Sequence, residues 1–260
     1  MPELPEVETV VRSLAPLLTG RRISSASFNS RFVTPGDRGK LASRLAGRTI
    51  QGVRRRGKFI LIALDSGTLA VHLGMTGKLL MDGTPGAHTH GIFVLDEGVL
   101  LYDDSRQFGR VEWGAKRAER LGPEPLEITT EEFRGRLRRR KARVKTLLLN
   151  QAFLAGVGNI YADEALFAAG IHPLALSSRL SRARAEALHR AIQDILSAAI
   201  EHRGSSISDY VDAQGKRGGF QLLHCAYGRE GEPCVKCGTP IRKIVVAQRG
   251  THFCPRCQKR

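Results

Sequence analysis

The chain has 260 residues, 42% of them hydrophobic, and its 41 Lys and Arg against 25 Asp and Glu give a net charge of +16. This composition excludes a disordered chain and allows one large domain or two smaller ones with substantial cores. No run of eighteen apolar residues offers a membrane span and no secretory leader precedes the first charges, so the cytoplasm is the expected compartment.

So large a cationic excess attracts polyanions and speeds their capture. It is spread along the chain, with dense runs at Arg54-Arg55-Arg56 and from Arg136 to Arg143, rather than gathered in a tail. Nucleic acid is the favoured partner, though charge alone does not choose between DNA and RNA.

The first element is a helix over residues 3–18, with Val7, Val10, Val11, Leu14 and Leu18 largely on one face and Gly20 ending it. Its head, Met1-Pro2-Glu3-Leu4-Pro5-Glu6, admits two readings. Proline and acidic residues suit a helix N-terminus, where Glu3, Glu6 and Glu8 favour the positive end of the dipole. Alternatively, an initiator Met before a small residue is normally trimmed, which would expose the secondary amine of Pro2. An α-amine titrates around pH 8. It can attack an aldehyde-like carbon and form an iminium ion, and Glu3 beside it could move protons.

Short β-like runs follow over 23–28, 49–53, 59–64, 68–73, 92–95 and 99–102, punctuated by Gly67, Gly83 and Gly98. They predict a twisted antiparallel sandwich within an N-terminal domain spanning 1–120. Lys58 starts one of these runs and could contact a phosphate, the common fate of an exposed lysine in a basic protein. His72-Leu73-Gly74-Met75-Thr76-Gly77 and Arg106-Gln107-Phe108-Gly109 read as glycine-flanked turns. Met75, Arg106 and Phe108 together could fill the space left by an extruded base. Taken singly, Met75 and Phe108 read first as core residues.

The segment Leu121-Gly122-Pro123-Glu124-Pro125-Leu126 reads as a linker into a helical domain over 121–225. One helix starts at Thr130, another covers 145–153, a third follows Gly158, and a long one runs over 181–201. Between the second and third lies Gly156-Val157-Gly158-Asn159, either an ordinary interhelical turn or, beside this charge, a backbone-phosphate site at a helix N-terminus. The polar, glycine-rich stretch from Gly204 to Phe220 is long for a connector and suits a binding lid.

In the last segment, 226–260, Cys234-x-x-Cys237 and Cys254-x-x-Cys257 are separated by sixteen residues. Two such pairs suit four thiolates around one structural Zn2+, with no open position for Lewis-acid chemistry. Disulfides fit a cytoplasmic chain poorly. Cys225 reads as a small buried side chain. Arg249 falls between the pairs, where a ribbon tip would carry it to a phosphate.

Together the opening Pro2-Glu3-Leu4-Pro5-Glu6, His72-Leu73-Gly74-Met75, Leu121-Gly122-Pro123-Glu124-Pro125-Leu126, Gly156-Val157-Gly158-Asn159-Ile160-Tyr161 and the four-cysteine tail resemble the bacterial formamidopyrimidine-DNA glycosylases of the Fpg/Nei family, over essentially the whole chain. The resemblance implies an α+β multidomain fold: a β-sandwich flanked by helices, a helix-two-turn-helix domain and a four-cysteine zinc finger, with duplex DNA in the cleft. It implies a monomeric bifunctional glycosylase and abasic-site lyase that removes 8-oxoguanine and formamidopyrimidines. Pro2 would be the nucleophile at C1′, Glu3 the general acid-base, Lys58 an aid to elimination near the lesion, and Arg249 the phosphate grip assigned to δ-elimination. Lys145 and Asn159 would bind phosphate, and His88, Arg106 and Lys141 match positions of DNA contact. Met75, Arg106 and Phe108 match the void-filling triad, with Arg106 facing the orphan cytosine.

The chain departs from the common pattern at Ser105-Arg106-Gln107-Phe108, where the family usually has Pro-Arg-Arg-Phe. The orphan-base contact should survive and local phosphate or backbone support should weaken. The sister endonuclease VIII branch usually starts Pro-Glu-Gly-Pro-Glu, and Leu4 argues against it. A non-catalytic zinc-ribbon DNA-binding protein would need the charge and the cysteines but not a free Pro2.

Overall fold

A computed structural model describes residues 2–207 and 209–260; Met1, with the trimming expected there, and Ser208 of the lid stretch lie outside the described residues. The chain forms two compact units, one of the residues up to Arg120 with His202–Gly219, the other of Leu121–Glu201 with Phe220–Arg260.

The first unit opens with α1 (Leu4–Leu18), whose Val7, Val10, Leu14 and Leu18 are fully buried. Eight strands follow: β1 (Ile23–Phe28), β2 (Ile50–Arg56), β3 (Phe59–Leu64), β4 (Thr68–His72), β5 (Lys78–Met81), β6 (Thr89–Leu95), β7 (Val99–Asp103) and β8 (Arg110–Trp113). They form two four-stranded antiparallel sheets, ordered β1-β6-β7-β5 and β2-β3-β4-β8. β3 reads Phe-Ile-Leu-Ile-Ala-Leu and is buried on both faces, as a strand inside a layered core should be. α1 packs on β2 and β3, and its apolar face joins Ile60, Ile62 and Val71 in one cluster.

Sequence periodicity identifies six of these strands and misses two. β5 and β8 have four residues each, too few to display an alternation. The eight-residue α2 (Arg38–Leu45) is also missed, because it buries only Leu41 and Leu45; Asp37 caps it by accepting from the Lys40 N–H at 2.9 Å. A single turn, α3 (Lys116–Glu119), ends this part of the unit.

The second unit holds α4 (Thr130–Arg138), α5 (Val144–Leu149), α6 (Asn159–Ala168), α7 (Arg182–Glu201) and a hairpin of β9 (Arg242–Val246) and β10 (Arg249–Phe253). α5 stops short of the expected 153 because Asn150 turns the chain: its Oδ1 accepts from the Ala152 N–H at 2.9 Å. α6 is buried from Ile160 to Phe167 and so has no polar face. α7 buries one face through Ala185, Leu188, Ile192, Leu196 and Ala199. The segment at 121–126 is not a loose linker, since the Gly122 N–H donates to the Gln151 carbonyl at 2.8 Å and the Ala155 N–H to the Pro123 carbonyl at 3.0 Å. Among the described residues, no helix is long and apolar enough to cross a membrane.

Candidate active site and nucleic-acid interface

The head of α1 concentrates charge in a buried place. Glu3 is the N-cap and closes a capping box with Glu6: the Glu6 N–H donates to the Glu3 carboxylate, and the Glu3 N–H donates to Glu6 Oε2 at 2.7 Å. Both carboxylates are almost wholly buried, as is Pro2 beside them. Glu6 also accepts, through Oε1, the Ser205 N–H at 2.7 Å, and its carbonyl accepts from the Tyr210 hydroxyl at 3.2 Å. The described residues of the 204–219 stretch are therefore fastened to the same helix start. Tyr210 and Ala213 join the core, and the buried Asp212 pairs with Arg203 while accepting from the Gln214 and Lys216 N–H groups.

Lys58 sits in the β2–β3 turn and is 7% exposed. A chain of contacts ties this turn to α1: Arg55 Nε donates to Glu8 Oε2 at 2.9 Å, and its Nη1 donates to the Gly57 carbonyl at 3.2 Å. Burial works to raise the Glu8 carboxyl, but Arg12 and Arg55 outweigh it and hold the group below its ordinary range. On the other side of the turn, the His72 ring lies 4.9 Å from Phe59. Burial first, then the charges of Lys58, Arg117 and Arg110, push His72 down to about 4. A neutral imidazole adds no further positive charge beside Lys58.

Met75 and Phe108 do not enter the core, contrary to their reading as single residues; they are 37% and 54% exposed at the tips of two loops. Arg106 is exposed with them, its guanidinium 4.8 Å from the Phe108 ring centroid. The loops meet backbone to backbone. A Cβ on Gly74 would lie 2.5 Å from the Gly109 nitrogen, and one on Gly109 would lie 1.7 Å from the Tyr102 hydroxyl, so both positions require glycine. His88 is exposed in the same unit.

In the second unit, Gly158 caps α6 in an extended conformation. Asn159 at its first position donates through Nδ2 to the Gly250 carbonyl at 2.9 Å, on the hairpin that carries Arg249. Arg249 and Lys141 are exposed, whereas Lys145 has no accessible surface. The Lys145 amine lies 2.5 Å from Asp163 Oδ1, also fully buried, and 3.5 Å from the Gly250 carbonyl. Asp163 Oδ2 accepts the His252 N–H at 2.8 Å. Lys145 and Asp163 thus anchor the hairpin from beneath. Neighbouring Glu164 accepts the Cys225, Ala226 and Tyr227 N–H groups at 2.9, 2.9 and 2.7 Å and fastens the chain entering the finger.

Cys234, Cys237, Cys254 and Cys257 bring their sulfurs within 4.8 Å of one another, with separations of 3.9 Å (Cys234–Cys257) and 3.5 Å (Cys237–Cys254). Tetrahedral Zn2+ with bonds of about 2.3 Å requires sulfurs spaced in this way. None of the four is in a disulfide. Burial and then hydrogen bonds with the three neighbouring sulfurs push the Cys257 thiol up to about 12. Cys225 is only half-buried and stands outside the cluster.

Three family models match in chain order: the formamidopyrimidine-DNA glycosylase N-terminal domain over residues 1–111, its H2TH domain over 121–211, and a zinc finger found in FPG and IleRS over 231–260. The formamidopyrimidine-DNA glycosylase of Solibacter usitatus is 59% identical over 265 residues, covering 100% of both chains. The chain belongs to the formamidopyrimidine-DNA glycosylase family. The Bacillus subtilis member is 43% identical and covers 99% of each chain. Among solved structures, the Thermus thermophilus MutM (Fpg) protein matches with a TM-score of 0.90 at 42% identity, covering 99% of this chain and 98% of that one. A Lactococcus lactis FPG variant in complex with a Fapy-dG-containing DNA matches with a TM-score of 0.93 at 39% identity, covering 100% of both. The α+β fold is thus the glycosylase family's β-sandwich, H2TH domain and four-cysteine zinc finger, with one structural Zn2+ fitting the sulfur cluster.

Seen as a formamidopyrimidine-DNA glycosylase, the chain hides its supporting residues from the sequence better than its acting ones. Glu6 reads from sequence as a dipole-favouring residue, although the Glu3-x-x-Glu6 spacing is that of a capping box. Asp163 and Glu164 lie in the apolar run of α6, where two adjacent acids with no polar face to occupy are a legible sign of buried partners. Asp104 carries no such sign.

Proposed function

We propose that the chain is a bifunctional DNA glycosylase and abasic-site lyase of base excision repair, acting as a monomer in the cytoplasm at the nucleoid. Its substrate is duplex DNA containing 8-oxoguanine, a formamidopyrimidine or an abasic site. The observation that carries this reading is the head of α1, where Pro2 stands beside two buried carboxylates locked into one capping box. Membership of the family supports it, as do related Lactococcus lactis structures with a Fapy-dG-containing and an abasic-site-containing DNA.

Once Met1 is removed, the Pro2 amine attacks C1′ and the C1′–N bond to the damaged base breaks, the electron pair leaving with the base. Glu3 takes the proton that the amine gives up on bonding C1′ and passes it to the ring oxygen as the sugar opens, which leaves an iminium ion. The iminium acidifies C2′; loss of that proton expels the 3′ phosphate, and a further elimination expels the 5′ phosphate. Water then releases the sugar fragment from the proline. Lys58 and Arg249 hold the phosphates around the lesion, and His88, Lys141 and Asn159 add backbone contacts. Met75, Arg106 and Phe108 occupy the space of the extruded nucleotide, offsetting a flipping cost of a few kcal/mol. For Lys145, whose amine is held by Asp163, the supported role is to seat the Arg249 hairpin. Cys234, Cys237, Cys254 and Cys257 would hold Zn2+, which would supply a rigid mount and, with four thiolates around it, no Lewis-acid step.

Borohydride reduction during turnover on an 8-oxoguanine duplex tests the proposal. A covalent adduct should map to Pro2 and vanish when the amine is blocked, and Glu3→Gln should bind DNA yet lose excision. An adduct on a lysine side chain with an unmodified Pro2 would refute the mechanism.

A further inference from the structure

Asp104 has no accessible surface, yet it stands beneath two loops whose tips are exposed. Its Oδ1 accepts the Thr76 hydroxyl at 2.6 Å and the Arg106 N–H at 3.3 Å. Its Oδ2 accepts the Gly109 N–H at 2.8 Å and the Tyr102 hydroxyl at 3.4 Å. Its own N–H donates to the His88 carbonyl at 2.9 Å. One donor therefore comes from the residue after Met75, and two come from the two ends of Arg106-Gln107-Phe108-Gly109. A carboxylate offers about four acceptor positions, and four donors are present. Tyr102, itself fully buried in the core, connects this carboxylate to the sandwich.

The same loop is held from its outer side. Gln107 adopts a left-handed φ of 54° and its Oε1 accepts the Ser30 hydroxyl at 2.6 Å. At positions 105 and 107 this chain has serine and glutamine where the family usually has proline and a second arginine. A proline would restrain the loop covalently; here hydrogen bonds to Asp104 and Ser30 restrain it.

We propose that Asp104 is a positioning residue that presets Met75, Arg106 and Phe108 as one wedge before DNA arrives. This rests on the reading of those three side chains as the group that fills the extruded nucleotide's place. Preorganisation matters because otherwise each loop would be ordered at the expense of binding. Asparagine at 104 would keep the shape, but it offers one acceptor oxygen and turns an NH2 toward N–H donors.

The test compares excision of 8-oxoguanine opposite cytosine with cleavage of a preformed abasic site, in Asp104→Asn, Met75→Ala and the double variant. Excision by Asp104→Asn should fall about tenfold, the scale of one charge-assisted hydrogen bond. Abasic-site cleavage should keep most of its rate, because no base has to be unstacked. The loss should shrink in the Met75→Ala background, since coupled sites are not additive. Equal losses in both reactions, or full additivity with Met75→Ala, would overturn the positioning role and leave the wedge reading standing. Normal excision by Met75→Ala would instead overturn the wedge reading, and the clamp with it. Should Asp104→Asn fail to fold, Thr76→Val removes one donor to Asp104 together with the acceptor that the same hydroxyl offers the Arg106 N–H at 3.2 Å, and must show the same split at smaller size; an unchanged ratio of the two reactions would refute the proposal.

Discussion

The head of α1 and the tip of the β9–β10 hairpin solve opposite problems. At the helix head, Pro2, Glu3 and Glu6 are buried and oriented by reciprocal hydrogen bonds. At the hairpin, Arg249 projects into solvent from a ribbon whose apolar cluster is small: Ala226, Cys234, Ile241 and Cys254 with Phe167 of α6. In the proposed reaction, proton transfer and iminium formation need groups held in one geometry away from bulk water, which a large sandwich core supplies. Gripping a phosphate needs reach, and a segment of this size cannot hold a reaching arm rigid by apolar burial alone. The four-sulfur cluster does so instead.

The largest expected effect separates the two regions directly. Structural Zn2+ contributes about 10 kcal/mol or more to folding a module of this kind. Chelation should therefore unfold the finger and abolish tight DNA binding while leaving the sandwich intact. The single tryptophan, Trp113, lies on β8 in the first unit and reports the sandwich alone. Its fluorescence should stay native after verified metal loss. Loss of the native Trp113 signal along with the zinc would break the comparison.

A second effect lies beneath the hairpin. Removing one partner of a buried ion pair leaves the other charge unpaired and costs about 3–5 kcal/mol. Lys145→Met should lower the melting temperature and weaken DNA binding together, although Lys145 has no accessible surface. Replacing both partners, with Asp163→Leu added, should recover much of the stability, as buried pairs commonly permit. A Lys145→Met protein with native stability and weakened binding would instead point to direct phosphate contact.

These two regions also differ in how far they could be read from sequence. The cysteine spacing and the exposed cations declare themselves, because metal ligands and surface charges act through residue type. β3, with an apolar run longer than four residues, is equally plain, and it and the start of α7 fall close to their expected positions. What escapes is anything defined by a distant partner. Met75 alone looks like core; only the approach of its neighbour Gly74 to the Phe108–Gly109 backbone shows a loop tip. Glu6 alone looks like a helix-dipole residue; its bond to Ser205, 199 positions away, is invisible until the chain folds.

A smaller effect concerns the exposed arm itself. Arg249 makes no contribution to the core, so Arg249→Ala should leave the melting temperature unchanged. If it holds one phosphate, the slope of log binding constant against log salt should drop by about 0.9. An unaltered slope would remove Arg249 from the grip and narrow the contrast with the helix head.

The smallest expected effect is a pH dependence confined to the first unit. His72 ends β4, and its Nδ1 accepts the Gly74 N–H at 3.1 Å, which leaves the ring proton on Nε2. Burial, then Lys58, Arg117 and Arg110, lower it from the usual 6.5 to about 4. The unfolded chain therefore takes up this proton as pH falls through about 6.5, while the folded chain refuses it until about 4. The stability tied to neutral His72 is complete above 6.5, declines as pH drops through that window, and declines no further below it. His72→Gln keeps an acceptor for Gly74 but cannot titrate. Followed by Trp113 fluorescence, whose reporter lies in the first unit and not in the finger, the native protein should lose more thermal stability between pH 7.5 and 5 than the variant. Parallel pH profiles would show that His72 carries no such strain, and that the Lys58 turn tolerates one more cation beside it.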